Sequence, residues 1–96
     1  MAEISSGKDK PYFEADLGRI KYRRFEETVG DEELVWHRDE NDRRITIVEG
    51  KGWKLQLDNE LPEELIEGQS YFITAFEYHR LVKGQGPLII EVTEEI

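Results

Sequence analysis

The only two histidines of the chain, His37 and His79, are the side chains best suited to do chemistry. Asp39 follows His37 by two residues, and in an extended strand such neighbours point to the same face. Two imidazoles and one carboxylate can occupy one face of an octahedral metal ion and leave positions open for substrate or dioxygen. His37, Asp39 and His79 are therefore candidate ligands of one divalent metal, with Fe(II) or Mn(II) favoured over a structural zinc.

A plainer interpretation uses the same residues. Asp39 lies among Arg38, Arg43 and Arg44 in the sequence and could form an ion pair with one of them. A histidine at the end of a strand with aromatic neighbours is often packed and hydrogen-bonded without any metal. The His-x-Asp spacing taken alone favours this second interpretation.

The sequence before His79 resembles the second motif of the cupins, in which a glycine, five residues, Pro-x-Gly, two residues and a histidine follow in order. Gly68 and His79 stand at the first glycine and at the histidine. Thr74 replaces the proline of the motif, and Phe76 replaces its second glycine. The resemblance implies that His79 is a metal ligand.

The segment from Trp36 to Gly50 resembles the first cupin motif, His-x-His followed by an acid and a closing glycine. His37 and Gly50 match, Asp39 stands in place of the second histidine, and the glutamate position falls near Arg43 or Arg44. The resemblance extends over about residues 33–93 and implies a jelly-roll barrel whose two motifs meet at one metal. Iron, manganese, nickel and zinc are the usual metals of the family, so Ni(II) and Zn(II) remain alternatives.

The elements that must position these residues are predicted to be short β-strands. Runs with alternating or continuous apolar residues are separated by glycine, proline and asparagine, as is typical of an antiparallel barrel or sandwich. The predicted strands cover residues 19–25, 33–39, 43–49, 53–58, 70–74, 77–83 and 87–93. Residues 60–68 are predicted to form a turn. We expect one all-β cupin-like barrel domain of about eight strands over residues 11–96, preceded by a disordered polar segment at residues 1–10.

Composition narrows the classes of function. The formal net charge of −9 disfavours nucleic acid and anionic lipid as partners, and the basic run at residues 19–24 is interpreted as one strand with a solvated face. Without cysteine the chain has no disulfide and no thiolate site. Residues 1–10 lack the apolar core of a secretory signal and no apolar run could span a membrane, so a cytoplasmic protein is expected.

Three further residues are candidates for work on a substrate. Arg43 could bind a carboxylate substrate inside the barrel or neutralise Asp39, and Gln56 could orient the substrate. Glu77 is predicted to share the strand face of His79 and could serve as a catalytic acid or base.

The favoured hypothesis is a mononuclear metal-dependent oxygenase, lyase or isomerase of a small polar metabolite. The alternative is a non-catalytic module that binds a small ligand and has lost part of the metal site. A third possibility is a 2-oxoglutarate-type oxygenase, which also uses His-x-Asp and a distant histidine, although the chain is short for one. A barrel this small is expected to form a homodimer, with the strand at residues 19–25 as its exposed edge.

Overall fold

The computed structural model describes residues 3–5, 11–30 and 34–95. Every strand in these ranges pairs antiparallel to its neighbours. The strands are β1 (Glu3–Ser5), β2 (Phe13–Asp16), β3 (Ile20–Phe25), β4 (Asp42–Lys51), β5 (Lys54–Leu57), β6 (Glu63–Glu64), β7 (Ser70–Ile73), β8 (His79–Val82) and β9 (Gln85–Glu95). The described residues include no helix that could cross a membrane.

The strands form two sheets. The larger sheet has the order β1-β2-β3-β9-β4-β7, and the smaller sheet has the order β6-β5-β8. The centre of the larger sheet is the pair of the two longest strands, in which Ile45 faces Val92 and Ile47 faces Ile90. The predicted all-β, antiparallel architecture is confirmed.

Alternation along the strands separates a core from a polar rim. The residues of β9 that point inward are Leu88, Ile90 and Val92, all at most 4% exposed. Toward one end of the barrel the inward positions of β3 and β4 change from apolar to charged, reaching Lys21 and Arg43. The core at the other end includes Phe25, Val29, Ile47, Trp53, Leu65 and Leu88. Fully burying one such side chain contributes about 1.5–3 kcal/mol, so this end stabilises the fold while the charged end remains available for function.

The structure corrects two of the predicted strands. The described part of residues 33–39 forms no regular strand, because only His37 makes a bridge, to His79, while Val35, Trp36 and Arg38 lie exposed. β3 is not an edge strand: β2 pairs with one side of it and β9 with the other. The run at residues 19–25 therefore has no free backbone edge on which a second copy could pair.

Several short elements had no clear signal in the sequence. β1, β2 and β6 are two to four residues long, too short for alternation to stand out. The turn expected at residues 60–68 contains β6, and Leu65 in it is buried against the core. The disorder expected for residues 1–10 falls mostly outside the described residues, of which only Glu3–Ser5 belong to this segment.

Candidate metal centre

His37 and His79 face each other across a single antiparallel bridge. The amide of His37 donates to the carbonyl of His79 at 3.0 Å, and the amide of His79 donates to the carbonyl of His37 at 2.9 Å. Side chains directly opposite in such a pair project to the same side of the sheet. The centroids of the two imidazole rings are accordingly 4.2 Å apart.

Asp39 is held beside the histidines by the turn that precedes β8. The amide of Phe76 donates to the carbonyl of Asp39 at 2.7 Å, and the amide of Ala75 donates to Asp42 Oδ1 at 2.7 Å. These two bonds tie the segment from Asp39 to Asp42 to the turn, while the bridge to His79 holds the main chain at His37. Its carboxylate, two residues after His37, consequently reaches the same space as the imidazoles.

The three side chains form one cluster of possible metal ligands. One ligand atom from each of His37, Asp39 and His79 lies within 4.8 Å of the others. His79 Nε2 and Asp39 Oδ2 are 3.3 Å apart, and two donors in adjacent positions about 2.1 Å from one ion would lie about 3.0–3.4 Å apart. His79 is buried, Asp39 is half-buried and His37 is exposed, so His37 lies on the solvent side of the cluster.

The hydrogen bonds of both imidazoles place a proton on Nδ1 and so favour the tautomer in which Nε2 is unprotonated. His37 Nδ1 lies 3.0 Å from the carbonyl oxygen of Val35, and His79 Nδ1 lies 2.9 Å from that of Glu77. A carbonyl only accepts, so each Nδ1 carries the proton and each neutral ring directs the lone pair of Nε2 away from it. The main chain thereby selects the tautomer that metal binding by Nε2 requires.

A divalent ion fits the gap between His79 and Asp39. Asp39 Oδ2 is buried and has no hydrogen-bond partner. The atom facing it, Nε2 of a neutral His79, is also an acceptor, so no hydrogen bond can form between the two. A buried unpaired carboxylate oxygen is costly, and a cation bound by both atoms removes that cost.

The environment of His79 keeps its imidazole neutral. Burial is the largest effect and lowers the pKa of His79 below its ordinary value, and His37 and Arg43 lower it further. The hydrogen bond to the carbonyl of Glu77 and the charge of Asp39 oppose this shift without reversing it. The neutral state is the one that a metal ligand requires.

Arg43 binds the second oxygen of the same carboxylate. Its Nη1 lies 3.4 Å from Asp39 Oδ1, and its Nη2 lies 3.5 Å from Glu94 Oε1. Glu94 also approaches Lys21 Nζ at 3.6 Å, and a hydrogen bond from Asn41, followed by Arg43 and Lys21, lowers the pKa of Glu94. The arginine pair and the metal site considered from the sequence are thus compatible, because they use different oxygens of Asp39.

The cluster opens into a cavity of about 470 Å³ between the sheets. Its charged wall contains a tight ion pair, in which Arg23 Nε donates to Glu14 Oε1 at 2.8 Å, and Arg23 also lies 4.4 Å from the ring centre of Tyr12. Apolar residues complete the wall, among them Phe25, Leu34, Ile45, Leu55, Ile73, Leu81, Ile90 and Val92. A volume of this size accommodates a small molecule.

Two of the predicted site residues lie away from this cavity. Gln56 is not part of the wall; it accepts a hydrogen bond from Arg80 and donates one to the carbonyl of Glu60. Its neighbour Leu55 takes the inward position on β5, which turns Gln56 outward. Glu77 lies in the turn before β8 and gives the site its carbonyl oxygen, as the acceptor for His79, while its side chain is not part of the wall.

Sequence reasoning missed the charged residues that β3 contributes. The basic run at residues 19–24 was interpreted as a strand with a solvated face, but Lys21 and Arg23 line the cavity, whereas Ile20 is exposed. Phe25 carries the signal that could have shown this. It is apolar, it shares the parity of residues 21 and 23, and it is buried in the core.

Solved structures with the cupin fold match the chain over nearly its whole length. An RmlC-like cupin from Shewanella frigidimarina NCIMB 400 has a TM-score of 0.73 and 16% identity, covering 100% of this chain and 86% of its own. KdgF from Halomonas sp. has a TM-score of 0.74 and 14% identity, covering 96% and 86%. Fe(II) HppE has a TM-score of 0.76 and 18% identity, covering 98% of this chain but 56% of its own.

These likenesses show that the chain has the cupin fold, as the two motifs predicted. No family model matches the sequence, and no curated protein matches it significantly. The chain spans just over half of the HppE chain. At identities below one fifth the shared property is the arrangement of the strands.

Proposed function

We propose that this protein is a mononuclear metalloenzyme that converts a small polar metabolite in the cavity between its sheets. The observation that carries the proposal is the contact between His79 Nε2 and Asp39 Oδ2, two acceptor atoms 3.3 Å apart with no hydrogen bond between them. The second histidine, His37, adds a third donor at the exposed side. Fe(II) or Mn(II) suits two imidazoles and one carboxylate best, with Ni(II) and Zn(II) as alternatives.

The arrangement suits catalysis because three protein ligands leave part of the coordination shell to a substrate. A metal in this site supplies a Lewis acid or a site for dioxygen. The chain itself does the positioning: main-chain carbonyls orient both imidazoles, Arg43 orients the Asp39 carboxylate, and apolar residues limit water in the cavity. Oxygenase, lyase and isomerase reactions all fit such a site.

The comparisons support the same choice of metal. Fe(II) HppE is an iron protein with this fold, and its likeness to the present chain is consistent with Fe(II) at the cluster. The reaction of that longer protein is not transferred, because a fold hosts many activities. The cytoplasmic location expected from the sequence, and a small molecule rather than nucleic acid or membrane as partner, belong to the same proposal.

One observation favours the alternative, a binding module without catalysis. The side chain of Arg43 lies in the barrel near the place where the cupin motif has a metal-binding glutamate, and it pairs with Asp39. A guanidinium there could hold an anionic ligand without a metal. This alternative predicts that the protein has no specific affinity for divalent metals.

Metal titration tests the proposal. Protein freed of metal is titrated with Mn(II), Ni(II), Zn(II) and, anaerobically, Fe(II), with the metal content and the thermal midpoint as readouts. We expect one ion per chain and a rise in thermal midpoint, since an ion at 100 times its Kd stabilises the fold by about 2.7 kcal/mol. His37→Ala should weaken binding at least about 100-fold with little effect on the apo protein, because His37 is exposed.

Matched variants separate binding at the cluster from binding elsewhere. Asp39→Asn should weaken metal binding as His37→Ala does, whereas Asp58→Asn, which removes an exposed carboxylate after β5, should leave it unchanged. If none of the four metals binds, or if His37→Ala binds them as well as the wild type, the metalloenzyme proposal fails and the binding module stands.

A further inference from the structure

Each cationic side chain of the cavity wall is already paired with carboxylates before a metal binds. Three cationic side chains line the cavity: Lys21, Arg23 and Arg43. They meet four carboxylates, those of Glu14, Asp16, Asp39 and Glu94, at contacts of 2.8–4.0 Å. A divalent ion at the cluster adds two positive charges, so the three cations, the four carboxylates and the ion together carry one net positive charge.

An uncompensated charge in a partly apolar cavity raises its affinity for an anion. Coulombic attraction is several times stronger at the edge of a protein interior than in water. The excess lies inside a chain whose net charge is −9, so the cavity differs in sign from the molecule around it. A ligand that brings negative charge restores the balance.

The part of the cavity suited to bind the negative group of such a ligand is the wall formed by β3. Lys21 and Arg23 occupy alternate positions of this strand and line the cavity from the larger sheet, whereas His79 lies on β8 of the smaller sheet. The ammonium of Lys21 is held loosely, at 3.6 Å from Glu94 and 4.0 Å from Asp16. Arg23 gives its Nε–H to Glu14, and a guanidinium has four further N–H donors.

We infer that the substrate is a small organic anion, whose carboxylate or phosphoryl group binds to Lys21 and Arg23 and whose other end reaches the His37–Asp39–His79 cluster. This inference rests on the proposed function. Arg43 has a different role from Lys21 and Arg23: it is a positioning residue, because it pairs with Asp39 Oδ1 and so orients that carboxylate. A ligand that spans the two sheets carries an anionic group at one end and a polar group at the other, within a volume of about 470 Å³.

The test compares three molecules with the same two-carbon linker between their end groups. Succinate, its neutral diamide succinamide, and 3-phosphonopropanoate are titrated into Mn(II)-loaded protein by calorimetry. We expect succinate or 3-phosphonopropanoate to bind and succinamide not to bind. Tighter binding of 3-phosphonopropanoate would show that the site prefers a phosphoryl group at one end of the ligand, and tighter binding of succinate would show that it prefers carboxylates at both ends. Equal affinity for succinate and succinamide would overturn the inference.

Variants on β3 locate the anion. Lys21→Met should weaken anion binding about 10- to 100-fold with unchanged Mn(II) affinity, as expected for the loss of one charged hydrogen bond. Arg23→Met alone would leave the buried Glu14 unpaired, so the double variant Glu14→Gln/Arg23→Met removes both charges together. Arg24→Met, on the exposed face of the same strand, is the control and should bind the anion as the wild type does.

The outcomes distinguish this inference from the proposed function. If Mn(II) binds but both β3 variants keep the wild-type affinity for the anion, the anion site is wrong and the metal site stands. If Mn(II) does not bind, the proposed function fails and the inference fails with it, because the positive excess that it assigns to the cavity comes from the metal.

Discussion

At the scale of single residues, both histidines are oriented by the same local device. In each case Nδ1 bonds to the carbonyl oxygen two residues earlier, that of Val35 for His37 and that of Glu77 for His79. The acceptor belongs to the main chain, so the tautomer does not depend on which side chain stands at residue 35 or 77. This explains how Glu77 contributes to the site although its carboxylate does not.

The lowered pKa of His79 makes the stability of the metal-free protein depend on pH. In the unfolded chain a histidine titrates near about 6.5. The folded protein binds this proton less readily, so stability is fully present above that pH and is lost as pH falls through the lower, folded pKa. We expect the unfolding free energy of the apo protein to decrease as the pH falls below about 6.5, by at most about 1.4 kcal/mol per pH unit from this one group.

The variant His79→Gln measures how much His79 contributes to the pH dependence of the unfolding free energy. Chemical denaturation at a series of pH values should give a flatter profile for this variant than for the wild type. His37→Gln should keep most of the share due to His79, because burial is the largest cause of the lowered pKa and His37 is a smaller one. Added metal should oppose the loss, because it binds only the deprotonated ring. Identical profiles for the wild type and His79→Gln would show that His79 does not titrate in this range.

At this scale, the sequence was sufficient to predict the cluster of His37, Asp39 and His79, but not the contacts that surround it. The types and parity of His37 and Asp39 were enough to propose that they act together, and the motif spacing added His79. The sequence could not show that Asp39 divides its two oxygens between Arg43 and His79. That division depends on the fold of the turn at Ala75 and Phe76, and no local pattern encodes it.

At the scale of elements, the turn between β7 and β8 carries backbone strain next to the cluster. Phe76 has a φ of 64°, a conformation that non-glycine residues rarely adopt. It stands where the cupin motif has glycine, and its amide bonds to the carbonyl of Asp39. The strain is therefore located where the turn fixes the metal-ligand segment.

Replacing Phe76 by glycine should stabilise the protein. The left-handed conformation costs a non-glycine residue about 1–2 kcal/mol, and the greater freedom of glycine in the unfolded chain returns about 0.5–1 kcal/mol of this. The phenyl ring is 59% exposed, so its removal loses little burial. We expect a net gain of about 0.5–1 kcal/mol in the free energy of unfolding, measured by denaturant titration.

Thr74→Gly is the matched control, since Thr74 is also exposed, lies in the same turn and has an ordinary φ. It should destabilise the protein by about 0.5–1 kcal/mol because only the entropic cost of glycine remains. If Phe76→Gly destabilises the protein as much as Thr74→Gly does, the ring has a stabilising contact that outweighs the strain.

The elements also show where periodicity is a reliable guide. Long strands with a buried face, such as β4 and β9, were predicted well because many alternating residues agree. The strand β3 was predicted in place, but its basic residues were expected on a solvated face, and two of them, Lys21 and Arg23, line the cavity instead. The residues around His37 have the composition of a strand, but the sequence could not show that only one of them forms a bridge.

At the scale of the whole molecule, charge is divided between the inside and the outside. The chain carries 22 acidic and 13 basic side chains, and three of the basic ones line the cavity. A negative exterior slows the approach of anions, an effect that salt screens within about 8–10 Å. The wall of β3 therefore acts at short range, after a ligand has entered.

The arrangement of the sheets leaves one edge suited to self-association. Among the described strands, β7 ends the larger sheet, with β4 on its other side. Its sequence, Ser70–Ile73, contains no charge and no proline, the features that commonly protect an edge strand from pairing. Phe72 on this strand is 46% exposed. These features favour a second copy as the partner of β7, in place of the strand at residues 19–25.

We expect two copies to form a two-fold symmetric dimer through antiparallel pairing of β7 with β7. Phe72→Lys should yield a monomer, because the symmetry brings the two introduced charges close together and like charges on paired strands repel. Val48→Lys is the control: Val48 is 50% exposed on β4, which is not an edge strand because it pairs with β7 and β9, and the variant should remain dimeric. Light scattering measures the mass of the wild type and of both variants across a range of concentrations. A monomeric wild type at the highest concentration would contradict dimerisation, and a dimeric Phe72→Lys variant would place the interface elsewhere.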